Sequence, residues 1–261
     1  MRPPCYRAVV DVATAPSPLS PIETPERGPI ETAWLGRVEY RPTWALQKEL
    51  AAARAAGTIG DRLLLLEHPA VLTLGRHADE SHVLASTEAL AARGIDLIRV
   101  ERGGEVTYHG PGQLVAYPIL ALSRRGLLLR PLVRALEEAM VETCAAFGVA
   151  AGRRDGHPGC WMDPDGVVPR KVGALGIRVE RGVTYHGIAL NIAPDLRDFQ
   201  LIDACGMPGV VSTSIAHEAG RPDEAPSTEI VRRAAVTFAR SFASRIGADL
   251  AGFAAAPDPD R

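Results

Sequence analysis

Residues 102–113, which read RGGEVTYHGPGQ, decide the fold of this chain. One β-type run, residues 97–100, leads into this segment, and a second apolar run, residues 114–119, follows it. Glycine allows positive φ angles and close approach of the backbone, while Pro111 fixes its own φ and disfavours helix at Gly110. The segment therefore predicts a shaped loop between two strands, with backbone N–H groups available to a ligand. The same glycine spacing also occurs in simple tight connections. No Gly-Lys-Ser/Thr and no helix start follow it, as a phosphate-binding loop would require.

The composition is that of a globular protein without marked charge. The 261 residues are 46% hydrophobic and 23% charged, with a formal net charge of −2, which speaks against a general nucleic-acid or membrane-surface binder. No apolar run approaches the roughly 20 residues of a membrane helix, and no secretory signal is visible, so we expect a cytoplasmic protein. The four cysteines are far apart and form no Cys-x-x-Cys pair, which argues against a zinc site and against a disulfide scaffold.

Three parts of the chain differ in composition. Residues 1–29 are rich in proline and predict a flexible extension. Residues 30–248 alternate apolar runs with turn signals and predict a single folded domain. Residues 249–261 form a weakly specified tail.

Within residues 30–248, strands predominate in the middle and helices flank them. Pro42 is expected to begin a helix, because proline favours the first turn. We expect its apolar face to consist of Trp44, Leu46, Leu50 and Ala53.

Two hairpins are predicted next to each other. The first joins residues 159–162 to 171–179 across an Asp-Pro-Asp-Gly turn, and the second joins residues 177–179 to 184–192 across Arg181-Gly182. The pattern as a whole predicts an α+β fold with a mixed β-sheet and flanking helices.

Cys205 differs from the other cysteines because it lies in a loop-type segment, DACGMPG, outside any apolar run. Cys144 and Cys160 fall on apolar positions of a helix and a strand and are expected to be core thiols. A loop cysteine becomes a nucleophile only as thiolate, which needs a nearby cation or base. Lys171, His109, His186 and His68 are all candidates for that partner, and a spare thiol on a loop remains the alternative.

Four blocks of the sequence together resemble the lipoyl(octanoyl) transferase family, the octanoyl-acyl carrier protein:protein N-octanoyltransferases. They are residues 102–113, RKVGALGIR at 170–178, GVTYHGIALN at 182–191 and the Cys205-Gly206 pair, and they occur in the family's order. The resemblance extends over about residues 32–246. The proline-rich residues 1–29 lie outside it, and Asp203-Ala204 stands where the family often has a proline just before the cysteine.

The resemblance implies a fold of the lipoate/biotin protein ligase catalytic-domain type and an acyltransferase activity. An octanoyl (or lipoyl) group would move from acyl carrier protein to a lysine of a lipoyl domain, as the first step of endogenous protein lipoylation. The acceptors would be 2-oxoacid dehydrogenase E2 subunits and the glycine cleavage H protein. No cofactor, metal, nucleic acid or membrane is implied, and a monomer suffices.

The resemblance also assigns roles to residues. Cys205 would form a thioester acyl-enzyme, and Lys171 would hold the thiolate and take the proton from the incoming amine. His68 is a possible positioning residue. The acyl pocket would be lined by Arg102, Gly103, Gly104, Glu105, Val106, Thr107, Tyr108, His109, Ala174, Leu175, Gly176, Gly187, Ile188 and Ala189.

Three other functions compete with this interpretation. An ATP-dependent lipoate or biotin ligase of the same fold would need a nucleotide site and no nucleophilic cysteine. A non-catalytic acyl-protein binding module would lose nothing when Cys205 is replaced. A cysteine hydrolase would form the same acyl-enzyme and release free octanoate.

Overall fold

The architecture is a large mixed sheet with a second, smaller sheet beside it. The structure, a computed structural model, describes residues 10–12, 28–203 and 210–255. The strands are β1 (Val10–Val12), β2 (Ile30–Arg37), β3 (Arg62–Glu67), β4 (Val71–Leu74), β5 (Asp96–Arg99), β6 (Val106–His109), β7 (Gln113–Ile119), β8 (Ala151–Arg154), β9 (His157–Met162), β10 (Arg170–Glu180), β11 (Val183–Asn191), β12 (Val211–Ser212) and β13 (Leu250–Gly252). The helices are α1 (Tyr40–Ala56), α2 (Thr87–Ala92), α3 (Leu129–Ala146), α4 (Ile215–Glu218) and α5 (Thr228–Arg245).

The large sheet has the strand order β13-β2-β3-β7-β11-β10-β9-β8. Its β13-β2-β3 edge is parallel and the strands from β3 to β8 are antiparallel. Strands β1 and β12 both pair in parallel with β10, at opposite ends of that strand. The small sheet has the order β5-β4-β6. Strand β10 therefore pairs with four strands of the large sheet, namely β1, β9, β11 and β12.

The helices cover both faces of the large sheet. Helices α3 and α5 pack against each other and enclose the main apolar core with the sheet. The other face is partly covered by α1, which packs against β7 and β11. The predicted α+β fold with a mixed sheet and flanking helices is confirmed. In the described ranges, every helix is too short or too polar to cross a bilayer.

Local sequence signals placed several elements correctly. The turn between β10 and β11 has positive φ at both Arg181 and Gly182, as a tight hairpin turn requires. Ser86 caps α2 by accepting a hydrogen bond from the N–H of Ala89. Cys144 and Cys160, the two cysteines predicted to be core thiols, are buried.

Both ends of the domain extend further than the sequence indicated. Val10–Val12, inside the expected flexible extension, pairs with Ile177–Val179 of β10. Leu250–Gly252, inside the expected tail, pairs with β2. Backbone pairing with a distant strand carries no local sequence signal, so neither short strand could be recognised from its own residues.

The helix α1 buries a different face from the one predicted. Its buried residues are Tyr40, Thr43, Gln47, Ala51 and Arg54, whereas the predicted apolar residues are only partly buried. Polar side chains are buried here because this helix covers a polar region of the sheet. One contact in this region is the hydrogen bond from the N–H of His186 to Gln47 Oε1.

Residues 102–113 are not a loop throughout. Val106–His109 forms strand β6, which pairs antiparallel with β4. The loops are confined to the residues on either side of this strand.

Candidate functional site

A cleft lies over the β10–β11 hairpin, with about 860 Å³ of space when the part open to solvent is included. On its floor, Ala174, Leu175 and Gly176 of β10 pair with Ala189, Ile188 and Gly187 of β11. The predicted residues that line the cleft are Arg102, Gly104, Glu105, Val106, Thr107, His109, Lys171, Ala174, Leu175, Gly176, Gly187, Ile188 and Ala189. Tyr40, Tyr117, His157, Pro158 and His186 line it as well. The middle of the cleft is apolar with small side chains, which suits an extended hydrocarbon chain.

Lys171 marks one end of the cleft and is held there by neighbours on β9. Its side chain is nearly buried, and its Nζ lies 4.7 Å from the centre of the Trp161 ring, within cation–π range. Trp161 is itself fixed by a hydrogen bond from its indole N–H to the carbonyl of His157, at 2.8 Å. A Cβ on Gly159 would lie 3.0 Å from Lys171 Cε and 2.5 Å from the backbone oxygen of Gly173. The absence of a side chain at Gly159 therefore makes room for the lysine stem.

The chain that follows residues 204–209 runs directly beside Lys171. Val211 and Ser212 of β12 are the partners of Arg170 and Lys171, and the N–H of Thr213 donates to the carbonyl of Lys171 at 2.9 Å. Before those residues, the N–H of Asp203 donates to the carbonyl of His82 at 2.8 Å. Cys205 itself lies outside the described residues.

The glycine-rich segment is clamped onto β10 by its backbone. The N–H of Gly103 donates to the carbonyl of Ile177 at 3.2 Å. A Cβ on Gly176 would lie only 2.6 Å from the carbonyl oxygen of Gly103. The close approach of these two backbones thus requires glycine at position 176.

Glu105 connects this segment to the chain that precedes residues 204–209. Its carboxylate accepts hydrogen bonds from His82 Nδ1 and from the N–H of Asp79, both at 3.2 Å. Because the carbonyl of His82 accepts from Asp203, Glu105 couples the cleft wall to the start of the Cys205 segment.

Arg102 is a buried cation whose hydrogen bonds join Thr73 of the small sheet to Gly103, the residue whose N–H is bonded to β10. Its guanidinium donates to the carbonyl of Thr73 at 2.6 Å, to Thr73 Oγ1, and to the carbonyl of Gly103 at 3.0 Å. Because its side chain also lines the cleft, Arg102 places a fixed positive charge in the cleft wall.

His109 belongs to a hydrogen-bonded chain that ends beside Lys171. Its Nδ1 lies 2.8 Å from Gln113 Oε1, and Gln113 Nε2 donates to Asn191 Oδ1 at 2.9 Å. Asn191 in turn donates to the carbonyl of Thr213. Since Gln113 donates through its nitrogen, its oxygen accepts, so His109 carries its proton on Nδ1. Burial, together with the neighbouring His68, lowers the pKa of His109 to about 3, which keeps the ring neutral.

His68 lies behind the cleft wall and orients Tyr117. Its Nδ1 is 2.6 Å from the carbonyl of Val38, which can only accept, so the proton is on Nδ1. Its Nε2 must therefore accept the hydroxyl proton of Tyr117, at 2.9 Å. Burial lowers the pKa of His68 to about 4 and raises that of Tyr117, so both groups are neutral. His68 therefore fixes the orientation of the Tyr117 hydroxyl, and its positioning role in the reaction stays a prediction.

Two residues expected in the cleft lie elsewhere. Tyr108 is turned to the other side of β6, where it packs on Phe199 and bonds to Asp198 at 2.7 Å. Thr107 and His109 line the cleft while Tyr108 faces away from it, as the alternation of side chains along a strand predicts, and Val106 at the start of the strand also lines the cleft. This alternation could have been used had residues 106–109 been recognised as a strand. Gly103 is not among the lining residues; its N–H is bonded to the carbonyl of Ile177 behind them.

Other lining residues escaped the sequence analysis because they come from unrelated elements. Tyr40 begins α1, Tyr117 lies in β7, and His157 and Pro158 open β9. Each looks like an ordinary residue of its own element. The parts of the chain that the structure describes contain no cluster of His, Cys, Asp and Glu side chains arranged to hold a metal ion.

Comparisons with known proteins agree on one family. Residues 39–237 match the family model "Lipoyl protein ligase A/B catalytic domain". An octanoyltransferase of Acidobacterium capsulatum is 46% identical over 220 residues, which cover 81% of this chain and 89% of that protein. An octanoyltransferase of Chloroflexus aurantiacus is 45% identical, with 80% and 92% covered.

A solved structure with a similar fold comes from Thermoplasma acidophilum, a bi-partite lipoate protein ligase described with its E2 lipoyl domain. It superimposes with a TM-score of 0.60 at 15% identity, covering 87% of each chain. At that identity the likeness concerns the fold alone. The fold, the matched family model and the two relatives together show that this chain belongs to the lipoyl protein ligase A/B catalytic-domain family.

Proposed function

We propose that this protein is an octanoyltransferase of protein lipoylation that acts through a covalent intermediate on Cys205. The octanoyltransferase relatives support octanoyl transfer. The observation that carries the mechanism is the position of β12: the chain leaves the Cys205 segment and pairs at once with Arg170 and Lys171. That pairing, which sets the residues directly after the Cys205 segment beside the lysine end of the cleft, supports the proposed mechanism.

The chemistry proceeds in two displacements. The Cys205 thiolate adds to the carbonyl of an octanoyl thioester on acyl carrier protein, and the thiolate of the carrier leaves. The lysine amine of a lipoyl domain then adds to the new thioester, Cys205 leaves as thiolate, and the amine loses a proton as the amide forms. As an ammonium ion Lys171 stabilises the Cys205 thiolate and gives its proton to the departing carrier thiolate. The neutral Lys171 amine then takes the proton that the attacking lysine loses, which restores the ammonium ion beside the released Cys205 thiolate.

The octanoyl chain would lie along the apolar middle of the cleft. Ala174 and Ala189 leave space there, and Gly176 and Gly187 carry no side chain to obstruct it. The acceptor of the relative from Thermoplasma acidophilum is an E2 lipoyl domain. We infer that the acceptors of this protein are lipoyl domains as well. We also infer that the reaction takes place in the cytoplasm and that the protein acts as a monomer.

The decisive experiment is intact-protein mass spectrometry after mixing with octanoyl-acyl carrier protein, without ATP or acceptor. We expect one added octanoyl mass that maps to Cys205 and moves to a lipoyl domain when that is supplied. Cys205→Ser should show no stable thioester adduct, whereas Cys160→Ala, which alters a buried thiol of the core, should behave as wild type. Octanoylation only with ATP and free octanoate would instead indicate a ligase. Free octanoate released without acceptor, at the rate of acylation, would indicate a hydrolase.

Lys171 is tested in the same assay. Lys171→Ala should remain folded, since the lysine side chain lines the cleft and is not part of the main apolar core, but both half-reactions should slow by about 100-fold or more. Lys171→Arg keeps a positive charge and should restore acylation better than deacylation, because arginine does not release its proton. Equal rates in wild type and Lys171→Ala would remove the lysine from the mechanism.

A further inference from the structure

The far end of the cleft, opposite Lys171, contains an unusual histidine. His186 is 1% exposed, lines the cleft, and neither ring nitrogen has a hydrogen-bond partner among the residues that the structure describes. A buried polar group without a partner is costly, so such a group is rare unless a ligand or a bound water supplies the partner.

Among the described residues, those that surround the His186 ring are mostly aromatic and supply no hydrogen-bond partner. Its ring stacks on Tyr185 with a centroid distance of 5.0 Å, and meets the Tyr117 ring edge-on at 6.3 Å. Aromatic rings offer little to a ring nitrogen. Its backbone has a φ of +56°, which is uncommon for a residue other than glycine, and its N–H is bonded to Gln47.

The two ring side chains considered at this end, His186 and Tyr117, are both neutral. Burial, with Arg102 and other nearby cations, lowers the pKa of His186, so its ring has one N–H donor and one acceptor nitrogen. The Tyr117 hydroxyl gives its proton to His68, which leaves its oxygen as an acceptor. A hydroxyl group of a ligand, which both donates and accepts, complements this end of the cleft.

The distance along β10 from Lys171 shows how long an acyl chain has to be to reach His186. His186 pairs with Ile177, six residues from Lys171, or about 20 Å at roughly 3.3 Å per residue. With C–C bonds of about 1.5 Å, an extended chain advances about 1.25 Å per bond, so an eight-carbon chain covers only about 9 Å. The lysine side chain accounts for about 6 Å of this distance, so acyl chains of about 12 to 16 carbons are long enough to reach His186.

We propose that His186 makes the far end of the cleft a hydrogen-bonding stop, which rejects long methyl-terminated acyl chains and accepts chains of the same length that end in a hydroxyl. A terminal methyl pressed against the ring satisfies neither nitrogen, whereas a hydroxyl satisfies one or both. This inference rests on the proposed function, because it places the acyl chain in the cleft with its thioester near Lys171.

The test compares acyl-pantetheine thioesters of 8, 12, 14 and 16 carbons, each with a terminal methyl or a terminal hydroxyl. In wild type, the hydroxyl form should be transferred about tenfold faster or more at the lengths that reach His186, and should have no advantage at 8 carbons. His186→Leu should lose the hydroxyl advantage and gain activity with the long methyl-terminated chains. Tyr185→Phe, which changes the neighbouring residue outside the cleft, should behave as wild type.

Because a positive φ disfavours leucine, His186→Asn serves as a second variant that tolerates this backbone and keeps a hydrogen-bonding group. It should retain part of the hydroxyl advantage. The proposal is overturned if wild type shows no hydroxyl advantage at any length. It is equally overturned if both variants keep the wild-type length profile.

Calorimetric binding of the matching free fatty acids and hydroxy fatty acids separates this proposal from the proposed function. If no thioester is transferred, not even octanoyl, the proposed function fails. The ratio of the two binding constants at 12 to 16 carbons still tests the stop at His186.

Discussion

Replacing Trp161 by leucine is expected to slow acylation of Cys205 by about 30-fold. The Trp161 ring is 1% exposed and lies 4.7 Å from Lys171 Nζ, which is itself nearly buried. A desolvated cation–π contact is worth about 2 kcal/mol, and about 1.4 kcal/mol corresponds to a tenfold change in rate. Leucine fills part of the space but offers no aromatic face, so the ammonium loses this contact where it has to face the thiolate.

The same substitution also lowers stability, and this effect has to be separated from the first. Removing most of a buried tryptophan is expected to cost about 2 to 4 kcal/mol of unfolding free energy. Trp161→Phe is the matched control, because it keeps an aromatic face over Lys171 but loses the indole N–H bond to His157. It should be destabilised as well, yet acylate within about fivefold of wild type.

The assay is rapid mixing with octanoyl-acyl carrier protein, acid quenching and intact-mass detection of the acyl-enzyme, at a temperature where urea unfolding shows each variant to be folded. The reasoning is refuted if folded Trp161→Leu acylates as fast as wild type. It is also refuted if the leucine and phenylalanine variants slow equally, because a loss shared by both would come from packing and not from the aromatic face.

Two further predictions concern stability at low pH and the backbone clamp on β10. The pKa of His68 is lowered to about 4 and that of His109 to about 3, from an ordinary value of 6.5, so below pH 6.5 the unfolded chain binds protons that the folded protein does not. The stability that depends on these neutral histidines is fully present above pH 6.5. It is lost as the pH falls toward 4 for His68 and toward 3 for His109. Between pH 7.5 and pH 4.5, urea unfolding should show a loss of about 3 kcal/mol of unfolding free energy for each histidine. His68→Gln should reduce this loss, and an unchanged pH dependence would contradict the assignment. Gly176→Ala places a Cβ 2.6 Å from the Gly103 carbonyl oxygen, so we expect at least tenfold slower transfer and about 1 to 3 kcal/mol lower stability. Gly60→Ala, with no atom within 4 Å of the added carbon, is its control, and equal effects of the two substitutions would refute the clamp.

Much of the fold could be predicted because its signals are local. The β10–β11 hairpin depends on a two-residue turn at Arg181-Gly182, and α2 begins at a serine cap. Both depend on residues that are neighbours in the chain. Strands β1 and β13 were missed for the opposite reason, since each is held by backbone hydrogen bonds to a strand far away in sequence.

The candidate site was predicted in part. The blocks around residues 102–109, 171–176 and 187–189 carry recognisable patterns, and the structure brings most of their residues to one cleft. Tyr108 was misplaced because residues 106–109 were taken as loop, which hides the alternation of a strand. The buried face of α1 was also misjudged, because its polar residues Thr43 and Gln47 cover the polar side of the site.

By itself, the sequence determined the mixed α+β architecture and the family resemblance, and the resemblance is what proposes Cys205 and Lys171 as the reactive groups. These depend on residue type and on short-range order along the chain. Only the tertiary structure decided that the Trp161 ring lies against Lys171 and that β12 runs beside the lysine. It alone also decided that His186 lines the cleft with no hydrogen-bond partner among the described residues. Such relations depend on distances between residues remote in sequence, which are set by the packing of the whole sheet.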